Sequence, residues 1–167
     1  MSVIAVEIEI NASPEKVWAV LADFNAVEKW SPSVRSAHGV SETDHGVGAV
    51  RGFDVPGFGN VEETVVDWKD GESLTFEVSS VGPVKKTVMT WSVRKESGRT
   101  VARVRSEMHT KYGVFGAIID KLVMRRMFKT RMGQTLLGLK HHVETGEQIG
   151  TSLPGDHDKS ALVEVAD

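Results

Sequence analysis

The chain has 167 residues, 40% of them hydrophobic, a formal net charge of −3 and no cysteine. This length suits one domain with a single sizeable core, and the charge gives no general attraction to nucleic acid or to anionic membranes. The lack of cysteine excludes disulfides, thiol catalysis and cysteine metal sites. A reducing, cytoplasmic location is compatible with these features.

The N-terminal segment lacks the marks of a targeting signal. Residues 1–8 contain no basic region, and a glutamate interrupts their apolar run. No stretch of about 18 apolar residues occurs elsewhere. We therefore expect no signal peptide, no membrane anchor and no membrane insertion.

The first elements are a strand and two short helices. Val6, Ile8 and Ile10 alternate with glutamates, which predicts a strand with one buried face. Ser13 followed by Pro14 is typical of a helix start, with a capping hydroxyl and a proline at the first helical position. A second short helix is predicted from position 23 to position 28.

Residues 34–110 have the alternating pattern of antiparallel strands joined by tight turns that are mostly rich in glycine. With the first strand they predict a seven-stranded antiparallel sheet. Most of these strands have one clearly apolar face, but the third candidate does not sort cleanly. The six candidates are Arg35–Glu42, Ala49–Val55, Asn60–Trp68, Ser73–Ser80, Lys85–Lys95 and Thr100–Thr110.

A long helix is predicted over Gly113–Glu144, on the order of 48 Å in length. Apolar residues at helical spacing mark its two ends, whereas Arg125, Arg126, Lys129 and Gly133 occupy the corresponding face in the middle. Either the helix bends and the basic side chains reach water, or this section covers a cavity. The segment 147–167 has no periodicity and is predicted to be a flexible tail after a domain at 1–146.

Several segments carry a family resemblance. The segments 12–18, 21–24 and 30–32 resemble the opening of the SRPBCC (START/helix-grip) superfamily, in its polyketide cyclase/dehydrase-like branch. The segment 138–146 is similar to the terminal helix of bacterial members. The resemblance implies an α+β helix-grip fold, in which a curved seven-stranded antiparallel sheet wraps a long C-terminal helix and two short helices follow strand 1. A gap between sheet and helix would be a ligand site.

Arg51 and Glu63 are the leading catalytic candidates. A hairpin turn at 56–59 would place them nearly opposite each other on neighbouring strands. They form either a solvated ion pair or a polar pair that faces the cavity, where it would orient a ligand or act on a proton. The related branch often has an arginine and a glutamate at these places.

The expected ligand-binding set consists mainly of large apolar side chains, each of which could instead be ordinary core. Phe53 and Phe58, beside the glycine-rich turn, are candidates for a gate. The set comprises Trp30, Phe53, Phe58, Glu63, Phe76, Trp91, Phe115, Ile119, Leu122 and Arg126.

Other site types find no support in the pattern. The six histidines form no HExxH motif, so no metal is expected. The segment Gly46–Arg51 lacks the third glycine of a dinucleotide loop, and no cofactor is expected. Lys121, Arg125 and Lys129 form a basic row, which is a solvated face, a site for an anionic ligand headgroup or a surface for an acidic partner.

Three functions follow from these features. The first is the binding or transport of a small hydrophobic ligand, such as a lipid, polyketide or quinone-like molecule. The alternative is an enzyme of the polyketide cyclase or dehydratase type in the same cavity, so catalysis stays open. The third is an interaction protein with a filled core. The expected partner is a hydrophobic small molecule, with no nucleic acid, and a protein partner or homodimer stays open.

Overall fold

Strands and one long helix make up most of the structure. The computed structural model describes residues 2–55, 59–80, 84–110, 116–153 and 162–165, with the backbone alone at 2, 110 and 116–124. The described helices are α1 (Pro14–Ala22), a 3₁₀ helix (Phe24–Lys29) and α2 (Gly116–Thr145). The described strands are β1 (Ser2–Ile10), β2 (Ala37–Gly39), β3 (Val50–Val55), β4 (Gly59–Lys69), β5 (Ser73–Val78), β6 (Val84–Glu96), β7 (Arg99–Thr110) and β8 (Leu162–Glu164).

The eight described strands form one antiparallel sheet in the order β2-β3-β4-β5-β6-β7-β1-β8. Strands β2 to β7 follow each other as a meander, and β1 pairs with β7 along its whole length. The α+β helix-grip prediction is confirmed. The predicted strand Arg35–Glu42 is longer than the observed β2, which has three residues.

Local sequence signals account for the start of α1. Ser13 is the N-cap, and its hydroxyl accepts a hydrogen bond from the backbone N–H of Lys16 at 3.3 Å. Pro14 occupies the first turn, where a missing N–H carries no penalty. Val17, Trp18 and Leu21 then bury one face of the helix. The predicted start is confirmed.

A β-bulge explains why the third candidate strand resisted assignment. The pairing of β4 with β5 shifts by one residue between Val65 and Asp67. Before the shift, Val61, Glu63 and Val65 are buried, whereas after it Trp68 pairs with the buried Leu74. The inward face therefore changes from odd to even positions, and no single alternation describes the strand.

The long helix lies against the sheet with its C-terminal half. Leu136, Leu139 and Val143 are buried in the main core together with Ile4 and Ile8 of β1. The predicted apolar stripe at this end of the helix is thus present. Within the described residues, no helix has the length and hydropathy that a membrane crossing requires.

Part of the predicted tail is a strand, which corrects that expectation and raises the strand number from seven to eight. Leu162–Glu164 pair antiparallel with the outer edge of β1, and Leu162 packs against the core. An edge strand presents unpaired backbone groups, which β8 satisfies here. Residues 146–153 have no regular structure, although the Ile149 N–H donates to the carbonyl oxygen of Lys29 at 2.9 Å.

Candidate functional site

A cavity of about 170 Å³ lies between the sheet and α2. Its walls come from strands β3 to β6, from the 3₁₀ helix and the segment that follows it, and from residues 127–135 of α2. Most lining side chains are apolar. The described lining residues are Val27, Trp30, Ser31, Ser33, Val34, Arg51, Phe53, Val55, Val61, Glu63, Phe76, Val78, Ser79, Val84, Thr87, Met89, Trp91, Met127, Phe128, Arg131, Met132 and Thr135.

Two tryptophans form one aromatic wall of the cavity. The rings of Trp30 and Trp91 meet edge to face with 5.4 Å between centroids. The indole N–H of Trp30 is buried and has no hydrogen-bond partner among the described residues. Leaving a buried donor unpaired costs about 1–3 kcal/mol, so an acceptor atom that reached it would be held favourably.

A buried ion pair forms the polar part of the wall. Arg51 of β3 and Glu63 of β4 are register partners, and only 5% and 6% of their respective surfaces are exposed. The Glu63 Oε2 atom accepts a hydrogen bond from Arg51 Nε at 2.7 Å and lies 2.5 Å from Arg51 Nη2 in the ion pair. The predicted pairing is confirmed. The alternative of a solvated surface pair is wrong, because both side chains are buried and Phe24 of the 3₁₀ helix lies over Arg51.

The guanidinium of Arg51 is held on several sides. Its Nη1 donates to the carbonyl oxygen of Phe24, and its central carbon lies 3.9 Å from the centroid of the Phe24 ring. The Phe76 ring is 5.4 Å away on the same measure. A cation over aromatic faces gains electrostatic stabilisation, and these contacts fix the side chain in one position.

Burial dominates the electrostatics of the pair. Burial raises the pKa of Glu63, and the charge and hydrogen bonds of Arg51 offset the rise only in part. Burial likewise lowers the pKa of Arg51, with Glu63 acting in the opposite direction. Glu63 is thus a carboxyl group whose proton is held more tightly than usual in an apolar cavity.

All four described aromatic candidates meet at the cavity. Trp30, Phe53, Phe76 and Trp91 line it together with Glu63. Phe58 and Phe115 lie outside the described residues, and so do the side chains of Ile119 and Leu122. The gate suggested for Phe58 therefore stays a prediction.

The helix turns a different face to the cavity from the one expected. Arg126 is exposed and is not among the described lining residues, whereas Arg131 is. Arg125 and Lys129 instead form ion pairs with Glu164 of β8, and Gly133 lies next to Leu162. The basic section faces the strand β8, whose presence the sequence did not reveal.

The residues that do face the cavity from α2 were missed. They are Met127, Phe128, Arg131, Met132 and Thr135. One signal was available, because Phe128, Met132 and Leu136 follow at intervals of four residues and extend the apolar stripe toward the N-terminus of α2.

Among the described residues, no group of three acidic or histidine side chains is placed to hold a metal ion. His141 contacts Glu147 at 3.0 Å on the outer side of the helix end. The ionisable groups of the described cavity wall are Arg51, Glu63 and Arg131.

Comparison with solved structures supports the fold. The XoxI protein from Bacillus cereus is 21% identical with a TM-score of 0.68, and the match covers 87% of this chain and 97% of that one. The protein TTHA0849 from Thermus thermophilus is 20% identical with a TM-score of 0.69, and the match covers 87% of this chain and 99% of that one. The di-domain ARO/CYC protein BexL from the BE-7585A biosynthetic pathway is 17% identical with a TM-score of 0.70, and the match covers 86% of this chain and 47% of that one.

Sequence comparison identifies the family. The sequence has no significant match among curated proteins. Residues 1–144 match the sequence model of one family, described as polyketide cyclase/dehydrase and lipid transport. This range contains the cavity, the buried ion pair and nearly all of α2, and the superfamily resemblance seen in the sequence is confirmed. The chain therefore belongs to the polyketide cyclase/dehydrase and lipid transport family.

Proposed function

We propose that the protein binds a small hydrophobic molecule in the cavity between the sheet and α2. One observation carries this proposal: an apolar cavity of about 170 Å³ remains inside an otherwise packed core, with a single buried ion pair in its wall. Protein interiors are normally close-packed, and concave apolar sites with a few fixed polar groups are typical of ligand pockets. A carrier role fits the family description, which includes lipid transport.

The cavity suggests the size of the bound group. A cavity of about 150 Å³ lined by apolar side chains admits benzene. The space here therefore suits one ring or a short alkyl segment. Arg51 and Glu63 occupy fixed positions, so they would orient a polar substituent of the ligand instead of moving toward it.

Native mass spectrometry of the purified protein tests the proposal directly. We expect an additional mass that survives gentle ionisation and disappears under denaturing conditions. Extraction of the bound lipid or polyketide from the purified protein would then identify the molecule. A protein that carries no ligand and takes up no apolar probe would contradict the proposal.

The four tryptophans offer an internal control for the binding site. Trp30 and Trp91 line the cavity, whereas Trp18 and Trp68 form a separate pair with 5.3 Å between ring centroids. Bromobenzene is a neutral apolar probe that quenches indole fluorescence on contact. We expect quenching in the W18F/W68F variant, which keeps the cavity tryptophans, and little in the W30F/W91F variant. Equal quenching in both variants would place the probe elsewhere.

A cyclase or dehydratase activity in the same cavity is a second candidate. Its support is Glu63, because a carboxyl group with a raised pKa is suited to proton transfer near neutral pH. The described cavity wall contains no second acid or base besides the two arginines, which favours binding. Incubation with a linear polyketide chain would separate the two, since an enzyme converts it and a carrier returns it unchanged.

A further inference from the structure

Four residues of the cavity wall lie in one row across the sheet. Arg51 is the register partner of Glu63, Glu63 that of Val78, and Val78 that of Thr87, on the strands β3 to β6. Register partners direct their side chains to the same face of a sheet, and all four residues line the cavity. Neighbouring strands lie about 4.8 Å apart, so the backbones of Glu63 and Thr87 are about 10 Å apart, with Val78 between them.

The row carries a polar atom at each end that no described protein group engages. Arg51 contacts the Oε2 atom of Glu63, and within the described part of the chain no other side chain hydrogen-bonds this carboxyl group. Its second oxygen, Oε1, is therefore left over. The Thr87 hydroxyl likewise takes part in none of the hydrogen bonds between described residues. Both residues are buried, and buried polar atoms normally have a hydrogen-bond partner, which a molecule in the cavity would supply.

We propose that the ligand is an uncharged ring with hydroxyl groups at opposite ends, which lies over Val78 and hydrogen-bonds to Glu63 at one end and to Thr87 at the other. This inference rests on the proposed binding function and adds the chemical class of the ligand. A hydroxyl group both donates and accepts, so it pairs with the Glu63 carboxyl group in either protonation state, whereas a carbonyl oxygen only accepts. The charges of Arg51 and Glu63 balance each other, so this pair leaves no net charge for an ionic ligand group to match.

Three rings of nearly the same size separate the two ends of the row: p-xylene, p-cresol and hydroquinone, with no, one and two hydroxyl groups. Because water solvates these probes differently, each is compared with itself across variants, by isothermal titration calorimetry under argon. Thr87→Val exchanges a hydroxyl for a methyl group, so it should weaken hydroquinone binding about tenfold, because one buried hydroxyl of the ligand loses its partner. The affinity for p-cresol, whose methyl group would face position 87, should stay the same, and so should that for p-xylene.

Further variants assign the effect to named side chains. Thr87→Ser keeps the hydroxyl and should keep the affinity for hydroquinone. Thr90→Val is the matched control in the same strand, because the Thr90 hydroxyl lies 3.0 Å from that of Thr75 and Thr90 is not among the described lining residues. The double variant Arg51→Met/Glu63→Leu removes the other end of the row and should weaken p-cresol and hydroquinone about tenfold, but not p-xylene. It provides the test by itself if Thr87→Val does not fold.

The possible results are distinguishable. A hydroquinone affinity that Thr87→Val leaves unchanged overturns this inference, and so does a p-cresol affinity that the double variant leaves unchanged. Binding of p-xylene without binding of the two hydroxylated rings also overturns it and leaves the hydrophobic binding function standing. Failure of all three probes to bind overturns the inference and the proposed function together.

Discussion

Gly138 of α2 lies against the carbonyl oxygen of Trp30, so close that a β-carbon at position 138 would overlap this backbone atom. Pro32 and Ile149 also border the space beside Gly138. The glycine thereby lets α2 approach the segment whose Trp30 side chain lines the cavity. Glycine has a poor helix propensity, but at position 138 it allows α2 to pack closely against a segment that lines the cavity.

Gly138→Ala should therefore destabilise the protein. Alanine normally favours a helix over glycine by about 1 kcal/mol, but forced overpacking costs about 1–3 kcal/mol, and a backbone atom cannot turn aside as a side chain can. We expect the free energy of unfolding in urea to fall by about 1–2 kcal/mol. Gly133→Ala is the matched control, because its β-carbon would lie 2.9 Å from the flexible Leu162 Cδ1. Equal losses in both variants would contradict the explanation.

The buried pair of Arg51 and Glu63 should show strong coupling in a double-mutant cycle. Arg51→Met or Glu63→Leu alone leaves a buried charge without its partner, and we expect each to lose about 3–5 kcal/mol of unfolding free energy. The double variant should lose much less than the sum. The exposed pair of Lys86 and Glu77 is a control that should couple by less than about 1 kcal/mol. Additive losses at Arg51 and Glu63 would show that the two charges do not depend on each other.

Stability should respond to the titration of Glu63. Burial raises its pKa in the folded protein above the ordinary value of 4.5. Because the folded protein binds the Glu63 proton more tightly than the unfolded chain does, protonation stabilises the fold. This stabilisation is complete below pH 4.5 and is lost as the pH rises through the pKa of Glu63 in the folded protein. The stability of wild type relative to Glu63→Gln, measured by urea denaturation, should therefore decrease as the pH rises above 4.5. An increase would show that the attraction of Arg51 outweighs burial.

Strand β8 should contribute to stability through Leu162. This side chain packs against the core and beside Gly133, so Leu162→Ala removes about 1 kcal/mol or more of apolar burial and should lower Tm by about 2–4 °C. Val163→Ala is the matched control in the same strand, since 57% of Val163 is exposed. A similar change of Tm in both variants would contradict the docking of β8 on the core.

Local patterns in the sequence were sufficient for much of the fold. Alternation predicted one apolar face for most strands, because side chains repeat every two residues, and Leu74 and Phe76 of β5 are buried on such a face. Ser13 and Pro14 set the start of α1 through capping, which involves only neighbouring backbone groups. The length of the predicted hairpin turn was enough to pair Arg51 with Glu63.

Other features depend on contacts between distant segments. The burial of Arg51 and Glu63 depends on segments far from them in the chain, among them the 3₁₀ helix, whose Phe24 lies over Arg51. The face of α2 that meets the cavity depends on its rotation, and one step along the helix turns a side chain by about 100°, so Arg131 lines the cavity and Arg126 does not. Leu162–Glu164 are too short to be recognised as a strand, because their conformation comes from the open edge of β1. The sequence by itself therefore determined the elements and the pairing of the central residues. Only the tertiary structure decided what is buried, which helix face meets the cavity and where the sheet ends, because these follow from packing between segments far apart in the chain.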